Sequence, residues 1–129
     1  MSRYRSESFQ EGSESDGEIR IFKQLQKRGL NINFSFDDHW ILLDERLDGV
    51  KATKPDYYWH PPCEYLSYLD GDEVHPTRND DLIDDALRRL KIRFDRFLYH
   101  APLPNYRRDE IVDAIEKVLL GLGYTPFKG

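Results

Sequence analysis

The chain gathers candidate metal ligands within one segment, residues 54–75, which reads KPDYYWHPPCEYLSYLDGDEVH. Two aromatic-rich runs within it, 56–59 and 64–69, are typical of β-strands, and the paired prolines between them cannot continue a ladder. The pattern therefore predicts a β-hairpin. Antiparallel partners lie within about 5.5 Å of each other at the backbone, so we expect Asp56, at the start of the first strand, to lie near Asp70, at the end of the second.

These residue types suit a hard divalent cation. Mg²⁺ binds carboxylates, backbone carbonyls and waters, so Asp56, Asp70 and the backbone carbonyl of Leu69 are the predicted ligands of Mg²⁺ or Mn²⁺. Such an ion lowers the pKa of a bound water and stabilises negative charge on a phosphodiester. His75, whose imidazole titrates near neutral pH, is the predicted general base or acid.

The rest of the chain must supply the elements that position this segment. Apolar residues at helical spacing predict a helix that opens at residues 15–18 and closes at Gly29, and short alternating or apolar runs predict strands over 31–36 and 40–43. Further along, the patterns predict a helix over 79–90, a strand over 92–99 and a helix over 107–120. The alternation of the last strand slips near Arg96, which indicates a β-bulge.

These elements predict a mixed α/β (α+β) fold, with a central mixed sheet of four or five strands flanked by helices. The helix over 79–90 is long enough to form a crossover connection between the strands at 64–69 and 92–99. The folded domain is expected to span residues 16–122. An acidic tail at 1–15, expected to be disordered, precedes it, and a C-terminal tail at 123–129 follows it.

Composition limits the class of protein. With 129 residues, 39% of them hydrophobic, the chain fits one domain with a modest core. Its single cysteine, Cys63, cannot form an internal disulfide, and there is neither a secretory signal nor an apolar run of the roughly 20 residues that a membrane-spanning helix requires. We therefore expect an intracellular, cytoplasmic protein with no membrane partner. The net charge of -5 argues only mildly against nucleic-acid binding, because residues 1–18 hold five acids against two arginines.

The order of these motifs resembles a known family. Pro55-Asp56, then Leu69-Asp-Gly-Asp-Glu-Val-His75, an Asp-rich helix, an Arg-Phe strand and a final amphipathic helix look like the PD-(D/E)xK nuclease superfamily. The likeness spans roughly residues 16–122 and is closest to the branch of very-short-patch repair endonucleases and EDxHD homing endonucleases. It implies a restriction-endonuclease-like core and an enzyme that hydrolyses phosphodiester bonds in DNA with Mg²⁺, in repair, recombination or a mobile element.

The resemblance also implies roles for individual residues. Glu18 would match the acid of the first helix, Asp56 the acid of the Pro-Asp step and His75 the histidine after the Asp-Gly turn. Together with Asp70, these three residues would form the catalytic set. The last acid of the pattern would fall at Asp80 or Asp81, and Leu69 would offer its backbone carbonyl to the metal.

Two positions depart from the family pattern. Tyr68 stands where a glutamate is common, and no lysine follows Asp70 at the usual position, which is occupied by Asp72. The role of that lysine, which orients the attacking water, would need another group, and the candidates are His75, Lys51 and Lys54. A nuclease-like fold without catalysis, reused to bind nucleic acid or a protein partner, is therefore the alternative function, and such a module could be a subunit of a larger complex.

Several of these residues also have a plain structural interpretation. Glu18 stands three residues after Ser15, which is the spacing of a capping box, and Asp70-Gly71 is a common turn dipeptide. Asp80 and Asp81 suit the first turn of a helix, where the dipole favours acids. The pair His60 and Cys63 has too few neighbouring ligands for a structural zinc site.

Basic residues around the second half of the chain are the candidate DNA contacts. The predicted nucleic-acid-binding residues are Arg78, Arg88, Arg89 and Arg93. Arginines on a helix are more often a solvated face, and Arg88 and Arg89 also complement the dipole at a helix C-terminus. Cuts on both strands of a duplex would require a homodimer, for which the sequence predicts no interface.

Overall fold

The structure, a computed structural model, describes residues 14–43, 52–71 and 78–127. Its three helices are α1 (Glu14–Lys27), α2 (Arg78–Arg89) and α3 (Asn105–Gly121). Its strands are β1 (Phe34–Phe36), β2 (Ile41–Leu42), β3 (Ala52–Thr53), β4 (Tyr57–Trp59), β5 (Tyr65–Gly71) and β6 (Arg93–Tyr99). The predicted mixed α and β architecture is confirmed. Within these ranges no helix is long and apolar enough to span a bilayer.

The main sheet has four strands in the order β1-β4-β5-β6. Strands β4 and β5 form the predicted antiparallel hairpin, and β5 pairs with β6 in parallel, as the predicted crossover through α2 requires. The predicted bulge at Arg96 is wrong, because β5 and β6 pair one to one from Tyr65↔Arg93 to Gly71↔Tyr99. The alternation slips because Arg96 points towards acids on α2, whereas Leu98 on the same face is exposed.

One of the five predicted strands, the one at 40–43, lies outside the main sheet. β2 pairs antiparallel with β3, an element that the sequence patterns did not predict, and the two form a separate ribbon. The main sheet therefore keeps four strands, the lower of the two predicted numbers. Strand β1 joins its edge beside β4, with Phe34 opposite Trp59.

Helices cover both faces of the sheet. On one face α1 and α3 pack against alternate residues of β4 and β5, and the buried members of this core include Ile21, Leu25, Tyr57, Trp59, Tyr65, Ile111, Ile115 and Leu119. On the other face α2 and the β2–β3 ribbon cover a smaller core, with Ile41, Leu43, Tyr58, Leu66, Tyr68, Ala86 and Leu87 buried. Because side chains alternate along a strand, residues 66, 68 and 70 of β5 belong to the second face.

The ends of the helices explain where the chain turns. α1 begins at Glu14, one residue earlier than the Ser15 cap that the capping box requires, and Gly29 follows its last turn with a φ of 73°. The N–H of Leu30 donates to the carbonyl of Leu25 at 2.8 Å, which satisfies one of the free carbonyls at the helix C-terminus. The predicted tail at 123–129 includes Phe127, whose N–H donates to the Gly29 carbonyl at 2.9 Å.

Gly29 is expected to be intolerant of any side chain. Its φ of 73° favours glycine, and a Cβ there would overlap the main chain of Phe127. We expect Gly29→Ala to lower the free energy of unfolding by about 1 to 3 kcal/mol, measured by urea denaturation. Gly121→Ala is the matched control, because a Cβ at Gly121 meets no atom within 4 Å. Equal stabilities of the two variants would show that the Gly29 turn relaxes without cost.

Candidate functional site

The hairpin places Asp56 against the main chain of β5. The last pair of the β4–β5 ladder on this side is Tyr57↔Ser67, so the N–H of Leu69 lies beyond it. That N–H donates to Oδ2 of Asp56 at 2.7 Å. Since the N–H and C=O of a strand residue point to the same side, the Leu69 carbonyl faces the edge that carries Asp56. The predicted neighbourhood of Asp56, Leu69 and Asp70 therefore exists at the end of the hairpin.

Asp56 lies among other acids, and its carboxyl group is hard to ionise. Burial, together with the charges of Asp37 and Asp70, raises the pKa of Asp56 to about 7. The Leu69 hydrogen bond and the charge of Lys54 act in the opposite direction. Asp37 is held beside Asp56 because its N–H donates to the Asp56 carbonyl at 2.8 Å. A partly buried group of carboxylates with too little positive charge favours protonation or binding of a cation.

Lys54 supplies positive charge close to Asp56. Its Nζ lies 3.4 Å from Oδ1 of Asp37, and its charge lowers the pKa of Asp56. Both side chains of this ion pair are about one-third exposed. Lys54 is thus placed to serve the Asp56 side of the site, as one of the three candidates for the missing lysine. Lys51 and His75, the other two, lie outside the described residues.

Asp70 is paired with an arginine from the neighbouring strand. Nη1 of Arg96 lies 3.6 Å from Oδ1 of Asp70, and Nε of Arg96 donates to both carboxylate oxygens of Asp84, at 2.9 and 3.2 Å. Asp80 lies 3.9 Å from the same guanidinium. Burial raises the pKa of Asp70, and the charge of Arg96 partly offsets this increase. One arginine therefore holds three acids together on the α2 face of the sheet.

Tyr68 fills the position that a glutamate would take in the family pattern. Arg96 is its partner in the parallel register, and the guanidinium lies 4.2 Å from the centre of the Tyr68 ring. The Tyr68 hydroxyl is within hydrogen-bond distance of Oγ1 of Thr53, at 2.8 Å. Burial raises the pKa of Tyr68 to about 12, so the phenol is neutral at physiological pH. Tyr68 packs and stacks here, and it adds no negative charge.

The remaining predicted acids are placed as follows. Glu18 on α1 accepts a hydrogen bond from the Tyr57 hydroxyl at its backbone carbonyl, at 2.6 Å. Burial raises the pKa of Tyr57, and the charges of Asp56 and Glu18 raise it further. Of the two adjacent acids on α2, Asp80 faces Arg96 and Asp81 is exposed.

The predicted DNA-contacting arginines are spread over different surfaces. Arg78 begins α2, and Arg88 and Arg89 end it, where Arg88 pairs with Asp85 and lies over the Phe94 ring. Arg93 is on the opposite face of the sheet from Asp70. There it lines a groove of about 530 Å³ between β6 and α3, together with Phe97, Lys117, Val118 and Leu122. Arg88, Arg89 and Arg93 thus do not lie beside Asp56, whereas for Arg78 only its position at the start of α2 is described.

The histidines of the sheet do not form a zinc site with Cys63. His60 is paired through Nε2 with the Ser35 hydroxyl at 2.8 Å, and the thiol of Cys63 donates to the Leu122 carbonyl at 3.5 Å. Across residues 14–43, 52–71 and 78–127, no three His, Cys, Asp or Glu side chains form a group able to hold a metal ion. The described part of the site offers two carboxylates and one carbonyl, and Asp72, Glu73 and His75 lie outside it.

Sequence reasoning missed three members of the site: Asp37, Asp84 and Arg96. For Asp84 a signal was present, because residues four apart on a helix share a face, so Asp84 accompanies Asp80. For Arg96 the signal was the strand register. A parallel pairing of β5 with β6 places Arg96 opposite Tyr68, next to Asp70 along β5. Asp37 gave only a turn signal, and its position beside Asp56 depends on the pairing of β1 with β4.

Comparisons of this chain with protein-family models, with curated proteins and with solved structures find no match.

Proposed function

We propose that the protein is a metal-dependent endonuclease that hydrolyses phosphodiester bonds in DNA, built on a restriction-endonuclease-like core. The observation that carries the proposal is the position of Asp56. Oδ2 of its carboxylate lies 2.7 Å from the Leu69 nitrogen, and burial together with the charges of Asp37 and Asp70 raises its pKa to about 7. Strongly shifted acids that share a site are typical of catalytic and metal-binding centres.

The donor set suits Mg²⁺ or Mn²⁺ better than a closed zinc site. Mg²⁺ is commonly held by one or two protein carboxylates and keeps several waters, so Asp56, Asp70 and the Leu69 carbonyl would hold it. When bound, the ion would lower the pKa of a water and stabilise charge on the phosphate. Ionised Asp56 is then favoured, because a cation offsets the neighbouring charges of Asp37 and Asp70.

The chain's own cations and histidine complete the proposed site. Lys54, through its effect on Asp56, takes the place of the lysine missing after Asp70. Arg96 keeps Asp70 in position from β6. His75 is the proposed proton acceptor or donor, and Glu18 on α1 is the proposed supporting acid.

A cleavage assay with plasmid and oligonucleotide substrates tests the proposal. We expect cutting with Mg²⁺ or Mn²⁺, none with EDTA, and a loss of at least about 100-fold in Asp56→Asn and Asp70→Asn. His75→Ala should be similarly impaired if His75 transfers the proton. Asp85→Asn is the matched control, because Asp85 is an exposed acid on α2 outside the site and should keep full activity.

Either of two cleavage results would overturn the proposal. Cutting that survives in Asp56→Asn, or no cutting with either metal on duplex, single-stranded or branched DNA, would exclude a nuclease centred on Asp56. Circular dichroism of each variant should accompany the assay, so that loss of fold is not taken for loss of chemistry.

A second candidate is a nuclease-like module that binds DNA or a protein partner without cutting. The observation that favours it is the ion pair of Arg96 with Asp70, in which the guanidinium lies 3.6 Å from the carboxylate. This internal cation occupies the neighbourhood in which a metal ion bound to Asp70 is expected. Isothermal titration with Mn²⁺ separates the two functions. Binding that disappears in Asp56→Asn supports the enzyme, whereas no binding, together with DNA retention in EDTA, supports the module.

A further inference from the structure

The outer face of the β2–β3 ribbon carries an exposed tryptophan. Trp40, directly before β2, is 61% exposed and Leu42 is 79% exposed, whereas Ile41 and Leu43 between and after them are buried. Side chains of a strand alternate, so Trp40 and Leu42 point away from the sheet that the ribbon covers. Packing accounts for the other tryptophan, Trp59, which is fully buried and donates from Nε1 to the Leu30 carbonyl at 2.7 Å. Packing does not account for Trp40, which belongs to neither core cluster of the described residues.

Lys54 connects Trp40 to the candidate site. The ribbon register pairs Ile41 with Thr53, which puts Trp40 opposite Lys54 on the outward face. Nζ of Lys54 lies 5.7 Å from the centre of the Trp40 ring and 3.4 Å from Oδ1 of Asp37. Asp37 in turn hydrogen-bonds the main chain of Asp56. The ammonium group of Lys54 therefore lies close to both the Trp40 indole and Asp37, one of the acids of the site.

We propose that Trp40 and Lys54 bind one unpaired nucleotide of the DNA substrate, with the base stacked on the indole and the phosphate held by the ammonium group. An exposed aromatic face beside a cation is the combination by which proteins hold single strands without reading their sequence. The base must be unpaired and unstacked, since neighbouring bases cover its faces in a duplex. This role rests on the proposed function, because it is the nearness of the Asp56 site that favours a nucleic acid over a peptide.

Tryptophan fluorescence in EDTA tests this proposal without cleavage. Titration with an oligothymidine of about ten nucleotides is expected to quench the emission of Trp40, while the buried Trp59 contributes little change. Anisotropy of a dye-labelled oligothymidine measures affinity without Trp40 emission. In that assay Trp40→Ala should weaken binding by about 5-fold to 100-fold, and Trp40→Phe should restore much of it, since a phenyl ring also stacks. Leu42→Ala is the control on the same outward face and should bind like the intact chain.

Lys54 and the form of the DNA give two further readouts. Lys54→Gln is expected to weaken binding and to reduce the slope of log affinity against log salt by about 0.7, which corresponds to one phosphate contact on a single strand. A duplex of the same length should compete poorly. A Trp40→Ala variant with unchanged affinity, or an oligonucleotide that leaves the fluorescence unchanged, would overturn the stacking role.

The outcomes also separate this role from the nuclease proposal. Quenching without cleavage under any metal condition would refute the nuclease and leave the stacking role in place. Cleavage that Trp40→Ala performs as fast as the intact chain, with no quenching, would refute the stacking role alone. Absence of both cleavage and binding would refute both, and the exposed ribbon face would then be tested as a protein contact.

Discussion

Replacing Asp56 with asparagine is expected to make the metal-free protein more stable at about pH 8, although the same substitution should abolish its activity. The pKa of Asp56 is about 7 in the folded chain, because of burial and of the charges of Asp37 and Asp70. In the unfolded chain the same carboxyl has a pKa of about 3.9. Folding therefore favours the protonated form, and ionisation of Asp56 opposes folding.

The sign of the pH dependence follows from these two values. Below about pH 4 both states hold the proton, so Asp56 carries no penalty. Between about pH 4 and pH 7 the unfolded chain loses the proton first, and the stability of the folded chain declines as pH rises. Above about pH 7 the full penalty is present, roughly 1.4 kcal/mol for each unit of pKa shift. Asparagine is never charged and avoids it.

Thermal unfolding in EDTA at about pH 4 and about pH 8 measures this effect. Asparagine keeps an oxygen that can accept from the Leu69 N–H, so the hydrogen bond at 2.7 Å need not be lost. We expect the variant to gain a few kcal/mol over the intact chain at the higher pH and little at the lower, with Asp85→Asn showing no such difference. Mg²⁺ should then stabilise the intact chain and not the variant.

A contrary outcome would be informative about the site. If Asp56→Asn destabilised the protein more at about pH 8 than at about pH 4, ionised Asp56 would have to be favourably paired in the folded chain. The acids around Asp56 would then be a structural network, and the strongest support for the metal site would disappear.

Removing Arg96 is expected to be the most damaging change on the α2 face. The side chains of Arg96 and Asp84 are 20% and 17% exposed, so their ion pair is largely shielded from water. Breaking such a pair by deleting one partner costs about 3 to 5 kcal/mol, because the remaining charge is left buried. Arg96→Ala removes the guanidinium that Asp84, Asp70 and Asp80 share, and the stacking on Tyr68 is lost as well.

Urea unfolding of three arginine variants measures the contribution of Arg96. Arg96→Lys should recover part of the loss, since an ammonium group keeps the charge but cannot match the two oxygens of Asp84. Arg88→Ala is the matched control. Its ion pair with Asp85 is exposed, at 66% and 60%, and such pairs contribute about 1 kcal/mol or less.

Two further comparisons show whether the acids around Arg96 cause the loss. Adding Asp84→Asn to Arg96→Ala should restore stability, because it removes one unpaired charge. A loss in Arg96→Ala no larger than that of Arg88→Ala would contradict a shielded pair. If Arg96 closes the site to metal, Mg²⁺ should also stabilise folded Arg96→Ala more than it stabilises the intact chain.

Local patterns in the sequence predict the three helices, five of the six described strands and their order. Helix α3 follows from apolar residues at helical spacing, and its buried residues include Ile111 and Ile115, as the pattern predicts. The β4–β5 hairpin follows from two aromatic runs around Pro61-Pro62. Helix α2 follows from its cap and apolar face, and its length allows it to form the crossover connection. These predictions succeed because hydrophobic periodicity and turn chemistry act over only a few residues. Asp56, Leu69 and Asp70 come together for the same reason, since one hairpin holds all three.

The surroundings of those residues depend on long-range strand pairing. Asp37 reaches Asp56 through the pairing of β1 with β4, and Arg96 reaches Asp70 and Asp84 through the parallel pairing of β6. Trp40 meets Lys54 only because β2 and β3 form a ribbon. Each of these contacts joins residues that are well separated in sequence, so no local pattern encodes it. In the sequence, the charge of Arg96 interrupts the alternation of the strand. In the folded chain Asp70 and Asp84 lie beside Arg96 and neutralise its charge, which explains why a charged residue stands at this position.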